Sequence, residues 1–95
     1  MIWPMTLERN IEAHLVKRVK ALGGAAYKFK STTAGVADRI VLLPGGVVWF
    51  VELKSEKGQL SPMQKVFMHE MLRLGQRYVV LNSKESVDDF IRISL

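Results

Sequence analysis

Three features of this 95-residue sequence predict an α/β fold with a mixed sheet flanked by helices. Apolar residues recur at helical spacing near the N-terminus. A continuous apolar run, "VVWFV" (47–51), marks a central strand buried on both faces. Short β-rich runs and helical runs follow one another in the order α-β-β-β-α-β-α, which the layer rules turn into a sheet covered by helices.

Each element has its own signal. Thr6 is an acceptable N-cap, Glu8 suits the first turn, and Ile11, Leu15, Val16, Val19 and Leu22 form a helical stripe over 7–22. Gly23 and Gly24 stop that helix. "AAYKFK" (25–30) alternates as a strand, with Tyr27 and Phe29 on one side and Lys28 and Lys30 on the other. "STTAG" (31–35) is a polar loop. "DRIVLL" (38–43) and "VVWFVELK" (47–54) are two strands joined by Pro44-Gly45-Gly46. Ser61 caps a second helix with Pro62 at its first position, and the helix runs to Leu74 before Gly75. "QRYVVLN" (76–82) is a further strand, and Ser83 caps a last helix through Val87, Phe90 and Ile91.

Composition narrows the classes. A chain of this length is expected to form one domain spanning 1–95, with a modest core that a partner subunit would help to complete. There is no cysteine, so disulfides, thiolate metal sites and cysteine nucleophiles are excluded, which fits a cytoplasmic protein. No apolar run approaches the ~20 residues of a membrane span, and "MIWPMTLERN" does not read as a signal peptide. No membrane association is expected. The net charge is +5, with twelve Lys/Arg against six Asp/Glu in residues 1–82. That balance points to a polyanionic partner such as nucleic acid, or to an ordinary basic surface.

The charged residues set into apolar strands are the chemical signal. With a three-residue loop at Pro44–Gly46, Leu43 pairs with Val47, and counting back places Asp38 opposite Glu52. Opposed residues share a face, with Cβ atoms ~4.5–5.5 Å apart. Lys54, two residues on, shares it too. A two-residue loop would make Asp38 a diagonal neighbour of Glu52, still within reach of a shared ion. Carboxylates so close repel unless one is protonated or a cation lies between them, and their oxygens suit Mg²⁺ or Mn²⁺.

Glu12 lies in the apolar stripe of the first helix and faces the sheet, which makes it a candidate site residue. Glu8 reads as a residue placed for the helix dipole. Gln64 closes a capping box with Ser61, yet it also lies in the inward stripe with Phe67, Met68, Met71 and Leu72. It therefore reads as a cap, a site residue, or both. His14 and His69 lack ligand-spaced partners and read as structural or surface histidines. Trp49 faces away from Glu52 and reads as core. Trp3 precedes the first helix and is a candidate staple or interface residue. Gly45-Gly46 is turn chemistry, since no Gly-Lys-Ser/Thr follows it.

"GVADR" (35–39), "VELK" (51–54) and "LSPMQ" (60–64), after a helix carrying Glu12, resemble the VRR-NUC (virus-type replication-repair nuclease) family of the PD-(D/E)xK superfamily. The resemblance covers nearly the whole chain. One departure is Ala37, where the family pattern usually has proline; proline would stiffen the strand entry and contributes no ligand. The resemblance implies a restriction-endonuclease-like core. It also implies a short stand-alone phage or prophage type that works as a homodimer in a bacterial or infected host cell.

In such a protein Asp38, Glu52 and the Leu53 backbone carbonyl would hold Mg²⁺ or Mn²⁺. Lys54 would stabilise developing charge and position or deprotonate water. Glu12 would serve a second metal or orient water, and Gln64 would orient water or support the metal ligands. Lys28, Lys30, Thr32, Thr33, Arg39, Ser55, Lys57 and Lys65 would then contact DNA phosphates.

The expected activity is metal-dependent, structure-selective DNA endonuclease chemistry, with a Holliday junction as the expected substrate and no organic cofactor. The alternatives are cleavage of flaps, nicks or duplex by the same chemistry, or a non-catalytic nucleic-acid-binding subunit that keeps the fold.

Overall fold

A computed structural model describes residues 7–94. Its elements are α1 (Glu8–Ala21), β1 (Ala25–Lys28), β2 (Arg39–Leu43), β3 (Val47–Leu53), α2 (Pro62–Arg73), β4 (Tyr78–Leu81) and α3 (Lys84–Ile93). This is the predicted order, in a four-stranded sheet arranged β1-β2-β3-β4. β1, β2 and β3 are antiparallel neighbours, and β4 joins β3 in parallel after the α2 crossover. The sheet is therefore mixed.

α1 starts one residue later than expected. Leu7 occupies its N-cap without a side-chain bond, because a leucine has no acceptor to offer. Thr6 and Trp3, to which the sequence assigned cap and staple or interface roles, lie outside the described residues. β1 ends at Lys28 rather than Lys30, although the Phe29 N–H still donates to the Asp38 carbonyl at 3.0 Å. α2 and α3 both open with complete capping boxes, Ser61 with Gln64 and Ser83 with Ser86.

Strand alternation divides the sheet into two faces. On one, Val41, Leu43, Val51, Leu53 and Leu81 meet Ile11, Leu15 and Val19 of α1 and Val87, Phe90 and Ile91 of α3 in one buried core. Trp49 joins that core, its ring edge-on to Phe90 with centroids 5.2 Å apart. Fully burying an aliphatic or phenyl side chain of this core is worth ~1.5–3 kcal/mol. His14 and Arg18 of α1 both reach Asp88 of α3, at 2.7 and 3.0 Å, and tie the two helices together at the surface. His69 is exposed on α2.

The other face carries Tyr27, Ile40, Leu42, Val48, Phe50, Glu52 and Tyr78, and α2 packs there. Phe67 of α2 sits among Phe29, Phe50 and Tyr78, with ring centroids 6.1–6.2 Å apart. No residue of α2 is fully buried. One short helix cannot span four strands, so Tyr27 stays 63 % exposed and Leu42 is exposed as well. The sequence expectation that β3 is buried on both faces is corrected accordingly: Val48 and Phe50 are only half-buried, and full burial begins at Val51.

Candidate active site

The hairpin register is the one the Pro44-Gly45-Gly46 loop implies: Leu43 pairs with Val47 and Arg39 with Val51. Gly45 and Gly46 both take positive φ, 87° and 78°, which L side chains rarely adopt. One step beyond the last pair, Asp38 stands across from Glu52 on the α2 face. Asp38 is held there by the backbone, since the Leu53 N–H donates to its Oδ2 at 2.8 Å.

Gly35 sets the approach of this segment to α2. A Cβ at Gly35 would lie 2.3 Å from the Met63 carbonyl oxygen and 2.9 Å from the Gln64 nitrogen, and its φ is 82°. Only glycine lets the loop before Asp38 lie against the first turn of α2.

Glu52 is the buried carboxyl of the site, 1 % exposed. Burial pushes its pKa up to about 8, and the hydrogen bond and charge of Asp38 push the same way. Lys54 opposes this, and the charge of Glu8 adds to it. The Lys54 ammonium lies 3.8 Å from Glu52 Oε2. Gln64 Nε2 donates to the same oxygen at 3.2 Å.

Gln64 caps its helix, as expected, and also reaches Glu52. Its Oε1 accepts from the Ser61 N–H at 2.9 Å while its Nε2 reaches Glu52, so the helix cap aims the amide into the site. Glu52 Oε1 is buried and has no donor.

The donor set fits a hard divalent cation. Two carboxylates of which one keeps a proton at neutral pH are a place where a cation can replace that proton. Among the described residues no group of three or more His, Cys, Asp or Glu side chains converges. Mg²⁺ suits such a set, because it binds through one or two carboxylates and takes its other oxygens from water and phosphate.

The remaining expected residues fall into two groups. Strand alternation sends Arg39 to the face opposite Asp38, where its Nε donates to Glu12 at 2.7 Å and its Nη1 to the Ala26 carbonyl at 2.8 Å. Glu12 thus faces the sheet as expected, but in an ion pair with Arg39, with both side chains largely covered. Lys28 pairs with Arg39 in the ladder and shares that face, across the sheet from the carboxylates.

Thr32 and Thr33 are exposed in the loop before Gly35, where the Thr33 N–H donates to Ser31 Oγ at 3.0 Å. Lys30 opens that loop, exposed. Ser55 follows Lys54 into a turn closed by the Gly58 N–H on the Ser55 carbonyl at 2.9 Å, with Lys57 exposed inside it. Lys65 is exposed on α2 next to Gln64.

The VRR-NUC domain profile matches residues 2–85. The chain belongs to the VRR-NUC family. A solved structure of a VRR_NUC domain superposes with a TM-score of 0.84 at 32 % identity, covering 90 % of this chain and 94 % of that one. A phage protein described as "Putative nuclease p44", from Acyrthosiphon pisum secondary endosymbiont phage 1, is 42 % identical over 79 residues. That alignment covers 82 % of this chain and 85 % of the phage protein. Within this VRR-NUC fold, sequence reasoning did not connect two residues with the carboxylates. The charge of Glu8 on α1 acts on Glu52, and the buried hydroxyl of Tyr78 feels the charges of Glu52 and Asp38. The first had a signal, since Glu8 lies one helical turn before Glu12 on a similar azimuth of α1.

Proposed function

We propose that this protein is a Mg²⁺- or Mn²⁺-dependent DNA endonuclease that hydrolyses phosphodiester bonds in branched DNA, a four-way junction above all. The observation that carries the reading is the meeting of Asp38, Glu52, Lys54 and Gln64 at the end of one hairpin in a VRR-NUC fold. Asp38 and Glu52, with the Leu53 carbonyl, would hold the cation. When bound, the cation supplies Lewis acidity for a phosphate oxygen and makes water more acidic.

The side chains do the rest. Lys54 stabilises negative charge on the phosphate as water adds to phosphorus, and it orients or deprotonates that water. One P–O ester bond breaks, leaving a phosphate monoester and a hydroxyl. Gln64 holds Glu52 in place through Oε2. Glu12 fixes Arg39 in the resting protein; serving a second metal or a water requires that pair to open. Glu8, whose charge acts on Glu52, is a second α1 carboxylate for the same task.

Lys30, Thr32, Thr33, Ser55, Lys57 and Lys65 lie in the segments adjoining the site in the chain and are the candidates to track phosphates. Arg39 and Lys28 lie beyond the sheet from it, so they contact DNA only where the backbone passes around the sheet edge. The apolar face bearing Tyr27 and Leu42 supports a homodimer, because among the described residues no second layer covers it. A twofold dimer would offer two symmetric sites to the two symmetric cuts of a junction. The cytoplasm of a bacterial or phage-infected cell is the compartment that fits.

The test incubates the protein and an Asp38→Ala variant with labelled junctions, flaps, nicked and intact duplex and single strands, with Mg²⁺ or Mn²⁺. Paired symmetric nicks in the junction, absent in the variant, are expected. Preference for flaps, nicks or duplex would move the substrate assignment. No cleavage of any DNA with either metal, alongside retained DNA binding, would replace the enzyme with a binding subunit. Sedimentation reads the dimer, and a monomer with full junction activity would remove it.

A further inference from the structure

On the α2 face two complementary buried atoms lack partners, the Tyr78 hydroxyl and Glu52 Oε1. The parallel register of β3 and β4 sets Tyr78 beside Phe50 and Val80 beside Glu52. Tyr78 is therefore the diagonal neighbour of Glu52 on one face, a separation that a long side chain can bridge. The Tyr78 ring is held by Phe67, 6.1 Å away between centroids. Its hydroxyl lies in the field of both Glu52 and Asp38, and burial together with those charges raises its pKa to about 12. It is a neutral donor at any working pH, and it cannot touch substrate because it is buried.

We propose that Tyr78 is a positioning residue for the hydrolysis: its hydroxyl donates through one buried water to the unpaired Oε1 of Glu52. The inference rests on the nuclease reading. Gln64 and Lys54 engage Oε2, at 3.2 and 3.8 Å, so this contact completes the hold on both oxygens of the carboxyl group. A carboxylate oxygen has two lone pairs, and one such contact leaves Oε1 open to a cation. A bridging water is nearly as good a link as a direct hydrogen bond where donor and acceptor stand too far apart to meet. The Glu52 rotamer, and with it the spacing to Asp38, is then set from two sides.

Tyr78→Phe tests this, because it keeps the ring against Phe67 and removes only the hydroxyl. Three measurements are made: urea unfolding of the metal-free protein, calorimetric Mn²⁺ binding, and junction cleavage resolved into kcat and KM. The expected result is a lower urea midpoint, Mn²⁺ affinity weaker by about 10-fold, and a fall in kcat with KM for DNA unchanged. An idle hydroxyl predicts the reverse, since removing an unsatisfied buried donor raises the midpoint and leaves Mn²⁺ affinity and kcat alone. Unchanged Mn²⁺ affinity in the variant overturns the proposal whatever the midpoint does.

Should the wild type neither bind Mn²⁺ nor cut DNA, the nuclease reading fails, and the contact itself is still read by a stability cycle. Tyr78→Phe and Glu52→Gln are combined in the metal-free protein, and a coupled loss is expected. Strict additivity of the two substitutions overturns the contact.

Discussion

The two faces of the sheet are built from neighbouring residues of the same strands, and they are opposite in kind. The α1/α3 face is closed: Val41, Val51 and Leu53 are buried against Ile11, Leu15 and Val19, and its one covered charge pair, Glu12 with Arg39, is matched. The α2 face is half-covered, carries a buried glutamate beside an aspartate, and ends in an open apolar area around Tyr27. Stability resides chiefly on the first face, and the second holds its charges at a cost in stability that the first makes tolerable. Alternation at period two separates the roles so sharply that adjacent Asp38 and Arg39 belong to different faces.

Four outcomes break or sharpen this contrast. The largest is a pH effect on the metal-free protein. Glu52 has an ordinary pKa near 4.5 when unfolded and about 8 when folded. The folded state therefore binds more protons across that window, so stability is fullest below pH ~4.5 and falls as pH rises toward ~8. The total loss is up to about 5 kcal/mol. Urea melts at several pH values read it, and Glu52→Gln flattens the slope. A profile equally steep in Glu52→Gln places the titrating group elsewhere.

Next comes Asp38→Ala. It lowers DNA cleavage by about 1,000-fold or more, equivalent to roughly 4 kcal/mol in the barrier, while the fold persists by circular dichroism. Residual activity within tenfold of wild type would take Asp38 out of the site. Third, Ile11→Ala on the closed face costs about 2–5 kcal/mol in urea unfolding. Phe67→Ala on the thin face costs roughly half as much, because its ring is only partly buried. Equal losses would dissolve the distinction between the faces. Smallest, Arg73→Ala removes the exposed Glu70–Arg73 pair on α2, 2.6 Å at its shortest, and leaves the melting temperature unchanged within error.

The parts of this design that were readable in the sequence are those set by local rules. Pro44-Gly45-Gly46 fixes a loop length, the loop fixes a register, and the register brings Asp38 to Glu52 with no knowledge of the rest. Ser61-Pro62 and Gln64 announce a helix start in the same way, and the amide that caps it also reaches Glu52.

What was less legible depends on packing at a distance. Arg39 reads as a free cation for DNA until α1 is placed across the sheet and supplies Glu12 as its partner. Tyr78 sits in an unremarkable apolar run, and only the parallel β3–β4 register, which no turn signals, makes it a neighbour of the carboxylates. The run 47–51 looks uniformly buried because its residues are apolar. How much of it is covered depends on the reach of α2, which no local pattern encodes.

The central proposal is that the hairpin end, where Asp38 meets Glu52, binds a divalent cation. Calorimetric titration of the resting protein with Mn²⁺ at pH 7, beside Asp38→Ala, tests it most directly. The account predicts saturable binding by the wild type that is lost in the variant. Failure of the wild type to bind at millimolar Mn²⁺, or equal binding by both proteins, would contradict it.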